Sequence, residues 1–185
     1  LATDRAEGTN NPSQGGLQNG SVTNGALFLG ADSVLGRSIQ FNRAAGQKVV
    51  VTDFGSIAPT TEITVEFWQY VDQVVDSSTF AAGINTTTNR INAHLPWGDG
   101  RIYWDFGNIF GGGRLSYAPP VPLAGQWHHF AFVASQASGG FMRIYRNGVE
   151  EASKAGAGSF VPTATDLELA PPGRLADFRI WNVAR

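Results

Sequence analysis

Three stretches near the C-terminus decide the fold: Trp127-His128-His129-Phe130-Ala131-Phe132-Val133, Arg143-Ile144-Tyr145-Arg146-Asn147-Gly148-Val149, and Gly173-Arg174-Leu175-Ala176-Asp177-Phe178-Arg179-Ile180-Trp181-Asn182. The first alternates. His128, Phe130 and Phe132 fall on one side, and Trp127, His129, Ala131 and Val133 on the other, which is the period of a β-strand. The second ends on Asn-Gly, the strongest short signal for a two-residue hairpin turn. The third reads as a closing strand.

Working outward, residues 62–71 give the best single strand, with Ile63, Val65 and Phe67 opposite Thr64, Glu66 and Trp68. Further strands are predicted at 38–41, 48–51, 79–84, 90–94, 101–106, 113–117, 141–146, 149–153 and 167–169. Residues 9–24 are rich in Asn, Gly, Ser and Gln and read as a loop or extended segment, with a weak first strand at 1–6. No segment has convincing helical spacing. Many short strands at regular intervals mean an all-β sandwich or barrel.

The order of these parts resembles the laminin G-like, concanavalin A-like lectin/glucanase jelly-roll domains. The shared features are Trp-His-His opening a strand, an Asn-Gly hairpin, and a closing strand that ends on an aromatic-Asn pair. The resemblance covers residues 38–185, with 1–37 as an N-terminal strand and Gly/Asn-rich region of the same domain. It selects the two-sheet antiparallel jelly roll over the barrel and, with the alternation in each strand, places Phe67, Trp127, Phe132, Ile144 and Ile180 mainly in the core. It leaves function open, because this superfamily hosts lectin-like modules, adhesion domains, hydrolases and lyases.

Composition sets limits. At 185 residues the chain is expected to form one domain, and 42% hydrophobic against 15% charged residues supports a globular core. A net charge of −2 argues against nucleic acid as a partner. Lysine occurs only at Lys48 and Lys154, so positive charge is mostly arginine, which suits planar recognition of carboxylates. No apolar run is long enough to span a bilayer. There is no cysteine, which removes disulfides, thiolate metal sites and cysteine nucleophiles. The chain opens at Leu1 without methionine and stops after a predicted strand. It is expected to be a piece of a longer, processed extracellular protein.

The richest chemistry lies between two predicted strands, in Ile91-Asn92-Ala93-His94-Leu95-Pro96-Trp97-Gly98-Asp99-Gly100-Arg101-Ile102-Tyr103-Trp104-Asp105. Residues 96–100 cannot continue a strand, so Trp97 and Asp99 should occupy a hairpin tip. An indole beside acidic, amide and imidazole groups suits a sugar, whose apolar face stacks on the ring while its hydroxyls meet the polar groups. His94, Trp97, Asp99, Tyr103 and Asp105 are therefore the candidate ligand-binding residues. The competing reading makes Trp97 a cap on the end of the sandwich, since large aromatics are usually buried.

Three other constellations carry potential chemistry. Glu62-Ile63-Thr64-Val65-Glu66 resembles the catalytic strand of laminarinase-type glycoside hydrolases, with Thr64 where those enzymes carry Asp. Retaining hydrolysis needs two carboxylates about 5 Å apart, whereas four strand residues separate these backbones by roughly 13 Å. His128 and His129 face opposite sides of a strand and cannot chelate one metal together. Calcium is the candidate cofactor implied by the resemblance, held between the N-terminal Gly/Asn loop and an acid near the closing strand. Asp177 and Asn10 are the expected ligands, and Ala176 departs from the acidic pattern.

The preferred reading is a non-catalytic binding module that recognises carbohydrate, sitting beside neighbouring domains of a longer chain. The alternative is a structural or adhesion domain that contacts protein partners. A glycoside hydrolase or polysaccharide lyase ranks third.

Overall fold

Period-two alternation gives each strand one apolar face, and those faces are buried by pairing two sheets. A computed structural model describes residues 20–29, 37–83 and 86–185. Among them are two seven-stranded antiparallel sheets. The first runs in the order β1 (Ser21–Thr23), β4 (Lys48–Val51), β13 (Leu167–Leu169), β6 (Phe80–Ala82), β7 (Arg90–His94), β8 (Ile102–Gly107) and β9 (Arg114–Tyr117). The second runs β12 (Val149–Ala155), β11 (Phe141–Arg146), β10 (Trp127–Ser135), β5 (Glu62–Val71), β14 (Gly173–Trp181), β3 (Ser38–Gln40) and β2 (Leu27–Leu29). The architecture is the expected all-β jelly-roll sandwich. No helix among the described residues is long and apolar enough to cross a membrane.

The core is aromatic. Phe67 of β5 meets Phe80 of the opposite sheet edge-on at 5.8 Å between ring centroids, and stacks on Phe132 at 5.9 Å and Phe178 at 5.6 Å. Trp104 enters the same cluster from β8, 5.7 Å from Phe132. Its indole N–H donates to the Val133 carbonyl at 3.1 Å, so the one polar atom of the ring is satisfied.

The Asn-Gly turn forms as the sequence suggests. Arg146 pairs with Val149, and the two loop residues take φ of 51° and 81°. That is the left-handed pair a type I′ turn needs. The Asn147 side-chain oxygen then accepts from the His129 backbone N–H at 2.9 Å, and the Asn147 backbone N–H donates to the His129 carbonyl at 2.8 Å. Two of the three deciding stretches are thus hydrogen-bonded to each other.

The structure corrects the sequence reading in three places. Residues 21–23, expected in a loop or extended segment and given no strand, form β1 and pair with β4, Val22 opposite Val49. Residues 27–29, given no element, form β2. Trp127 and Ile180, expected in the core beside Phe67, Phe132 and Ile144, are only partly buried. Trp127 occupies the outer face of β10, where its ring meets Tyr70 at 5.8 Å and the Arg174 guanidinium at 5.5 Å. The expected strand at 1–6 lies outside the described residues.

Phe132→Ala should cost about 3–5 kcal/mol of stability, because it opens a cavity in the aromatic cluster. Trp127→Ala should cost clearly less. Urea unfolding of both variants checks this ordering, and equal losses would mean that Trp127 is core after all.

Candidate functional site

β7 and β8 pair so that Asn92 faces Asp105 and His94 faces Tyr103, while β9 sets Arg114 beside Asp105 and Ser116 beside Tyr103. Ile91, Ala93, Ile102, Trp104 and Phe106 are buried on the core side. Alternation therefore puts Asn92, His94, Tyr103 and Asp105 together on the outer face. This polar patch is a direct consequence of the apolar pattern beneath it.

The hairpin tip is held by several bonds. Trp97 N–H donates to the Arg101 carbonyl at 2.8 Å, and Gly98 N–H donates to Asp76 Oδ1 at 3.0 Å. Asp99 Oδ1 accepts from Arg101 N–H at 2.9 Å, and Oδ2 accepts from the Tyr103 hydroxyl at 2.6 Å. The Tyr103 bond holds the exposed Asp99 carboxyl below its usual range and pushes the Tyr103 phenol up. Trp97 is half-buried. Its indole rests against the His94 imidazole at 4.3 Å between centroids, inclined at 62°.

Asp105 is 0% exposed on this outer face. Two arginines hold it. Arg114 donates from Nε to Oδ1 at 2.6 Å and from Nη2 to Oδ2 at 2.7 Å. Arg90 donates from Nε to Oδ2 at 2.9 Å and also through Nη2. The Asp105 bonds raise the Arg114 pKa. Arg114 also lies over the Tyr103 ring at 4.8 Å. Asp105 thus organises its neighbours, with both oxygens already engaged.

His94 sits at the centre and is 9% exposed. Its Nδ1 lies 3.1 Å from the Ser77 carbonyl oxygen, so Nδ1 carries the proton. Nε2 then accepts from Asn92 Nδ2 at 3.0 Å. Burial holds His94 below the usual histidine range.

His94, Tyr103 and Asp105 thus share one sheet face, with Trp97 and Asp99 at the adjoining hairpin tip; His94 is in ring contact with Trp97 and Tyr103. The sequence reading missed Arg90, Asn92, Arg114 and Asp76. The first two were within reach, because Arg90, Asn92 and His94 alternate with apolar residues along one strand. Arg114 and Asp76 belong to other segments, and no local pattern links them to the hairpin.

Glu62, Thr64 and Glu66 lie on the outer face of the other sheet. Glu62 accepts from the Ser135 hydroxyl at 2.6 Å, and Glu66 accepts from the Trp181 indole at 2.9 Å. Thr64 between them donates to the Val183 carbonyl at 2.8 Å, tying down the C-terminal segment. His128 turns toward the core and His129 away from it, so they do not converge. Asp177 is exposed and ion-paired with Arg179 at 2.8 Å. Asn10 lies outside the described residues. Calcium requires six to eight oxygens, whereas no cluster of three acidic, histidine or cysteine groups occurs among the described residues.

Two predictions follow from these groups. Burial holds both His94 and His128 below the ordinary histidine value. The unfolded chain therefore takes up protons first, and stability present above about pH 6.5 is lost as pH falls through the folded values. The urea midpoint should drop between about pH 7 and pH 5, and the drop should shrink in His94→Gln, His128→Gln. An identical drop in that variant would assign it to other groups. The melting temperature should also be the same in chelator and in about 1 mM calcium. A rise with calcium would show that residues 1–19 complete a site with Asp177.

The fold and site can now be set beside known proteins. Residues 43–185 match the profile of the concanavalin A-like lectin/glucanases superfamily. No curated protein matches the sequence. Among solved structures, one similar to this chain is domain 4 of an extracellular arabinanase from Geobacillus stearothermophilus, in complex with arabinotriose. The TM-score is 0.64 at 22% identity, over 89% of this chain and 82% of that one. Another is the binding domain of Paraclostridial Mosquitocidal Protein 1, with TM-score 0.69, 16% identity, and 92% and 45% covered. A third is the binding domain of botulinum neurotoxin DC in complex with SialylT, with TM-score 0.65, 12% identity, and 91% and 44% covered. This chain spans less than half of those two toxin domains, and at these identities the likeness is one of fold. With 43–185 matched and both sheets in place, the chain belongs to the concanavalin A-like lectin/glucanases superfamily.

Proposed function

We propose that this domain is a non-catalytic binding module of a larger extracellular protein, and that it recognises carbohydrate at the β7–β8 hairpin. The observation that carries the reading is the half-open Trp97 indole packed on His94 at 4.3 Å, on the same hairpin as Asp99 and Tyr103. The indole offers an apolar surface to a sugar ring. The Asp99–Tyr103 pair offers an acceptor and a phenol oxygen to its hydroxyls. All these groups are held by hydrogen bonds or packing before any ligand arrives, which lowers the ordering cost of binding.

The carboxylates favour binding over hydrolysis. Glycosidases use a pair of acids that face each other across the sugar. Here Asp105 is committed to two arginines, Asp99 to Tyr103, Glu62 to Ser135 and Glu66 to Trp181. The arabinanase domain with its bound arabinotriose supports a sugar as ligand and suggests a first probe.

The test is a glycan array at neutral pH that includes arabinotriose, followed by calorimetry on the best oligosaccharide. Trp97→Ala should weaken binding about tenfold or more, which is about 1.4 kcal/mol, and leave the melting temperature nearly unchanged. A folded Trp97→Ala that binds as well as the parent would move the site elsewhere, first to the outer face bearing Glu66 and Trp68. Retention of no glycan at all would sink the carbohydrate reading.

A further inference from the structure

Asn92 is 2% exposed, and its Oδ1 has no hydrogen-bond partner. Buried polar atoms left in this way are uncommon and need a reason. Turning the amide over does not help while His94 is neutral. Asn92 Nδ2 donates to His94 Nε2 at 3.0 Å and approaches Asp105 Oδ2 at 3.4 Å. Turned over, Oδ1 would face two acceptors.

A proton on His94 reverses this preference. Nδ1 is already spent on the Ser77 carbonyl at 3.1 Å, beside the Ser78 hydroxyl at 3.2 Å. The added proton therefore goes to Nε2, where it points at the Asn92 NH2 group, donor against donor. Turning the amide relieves the clash and gives Oδ1 the donor it lacks. It also breaks the contact between Nδ2 and Asp105. The ring is left as a cation with little exposed surface, which is costly without water or a counter-ion. Asp105 attracts it, but Arg90 and Arg114 oppose that attraction. Asp99 is bound to Tyr103, whose ring lies 5.9 Å from His94. Trp97 covers the imidazole at the exposed hairpin tip. Hydrating the charged ring requires Trp97 to move.

We propose that the Trp97 platform is pH-gated: when His94 gains a proton, the Asn92 amide turns over and Trp97 leaves the imidazole, so that a ligand face assembled at neutral pH comes apart in mild acid. The inference rests on the hairpin being the ligand site, and it adds capture near neutrality and release on acidification.

The test follows the free protein by NMR from about pH 8 to about pH 5, the window in which histidine titrates. The His94 ring, the Asn92 side-chain NH2 and the Trp97 indole N–H should shift together with one midpoint. In His94→Gln the Asn92 and Trp97 signals should stay still over that range. In Asn92→Asp, which sets a carboxylate against Nε2, the His94 midpoint should rise by about one pH unit or more. The gate is overturned if His94 titrates while Asn92 and Trp97 stay fixed. It is equally overturned if His94 stays neutral until the protein unfolds. The wild-type titration decides the matter even if Asn92→Asp does not fold. No sugar is present, so a failed gate and a failed carbohydrate site are told apart: the second is read at neutral pH alone.

Discussion

The contact on which the rest of this structure depends is Phe67 against Phe80, one from each sheet, 5.8 Å apart. Phe67 sits midway along β5, the strand flanked by β10 and β14. Fixing its side fixes the side of every other residue on β5, because a slip of one residue would turn the whole apolar set outward. The neighbours inherit the register: Phe130 lies opposite Phe67, and Val65 lies opposite Phe132 and Ile180. The outer face of the opposite sheet is fixed in the same way. Trp104 and Phe106 must point in, so Tyr103 and Asp105 must point out.

β14 shows what is needed when strict alternation fails. Leu175 and Ile180 both pair with inward positions of β5, yet their spacing is odd, so an unbroken strand would send one of them outward. The register shift between Ala176 and Arg179 repairs this by setting Asp177 and Phe178 opposite the single residue Phe67. Asp177 takes φ of 53°, a conformation that aspartate tolerates better than most residues. Phe178 thereby turns inward to stack on Phe67. The acid that family resemblance marked as a calcium ligand has, in this chain, a backbone role and an arginine partner.

The fold was legible in the sequence because its signals are local. β4, β5, β7, β11 and β13 match the predicted spans residue for residue, and each carries alternation or a β-branched run between turn residues. β1 and β2 were not legible. Both lie in or just after the Asn/Gly/Ser-rich stretch, whose composition reads as loop, and only their pairing with β4 and β3 makes them strands. Trp127 shows a different limit. Family placement sent it to the core, whereas its alternation with the inward His128, Phe130 and Phe132 puts it on the outer face. The hairpin tip was legible from Pro96 to Gly100 for the same local reason. The clamp on Asp105 was not, because it joins three strands through arginines that look in sequence like ordinary surface charge.

That clamp explains how polar groups come to be buried on the outside of a sandwich. A carboxylate with no exposure is costly by itself, and a buried ion pair often only breaks even against an apolar replacement. Four donor groups from two arginines, with Asn92 nearby, engage both oxygens of Asp105. The return is rigidity more than stability. Arg114 held by Asp105 lies against Tyr103, Tyr103 holds Asp99, and Asn92 between Asp105 and His94 sets the ring on which Trp97 rests. Each exposed group of the hairpin is positioned by a buried one, and the chain of support ends on a single carboxylate. Such a surface can be rigid without being apolar, and the atom its hydrogen bonds leave unpaired, Asn92 Oδ1, belongs to the amide whose NH2 donates to the histidine that can change charge.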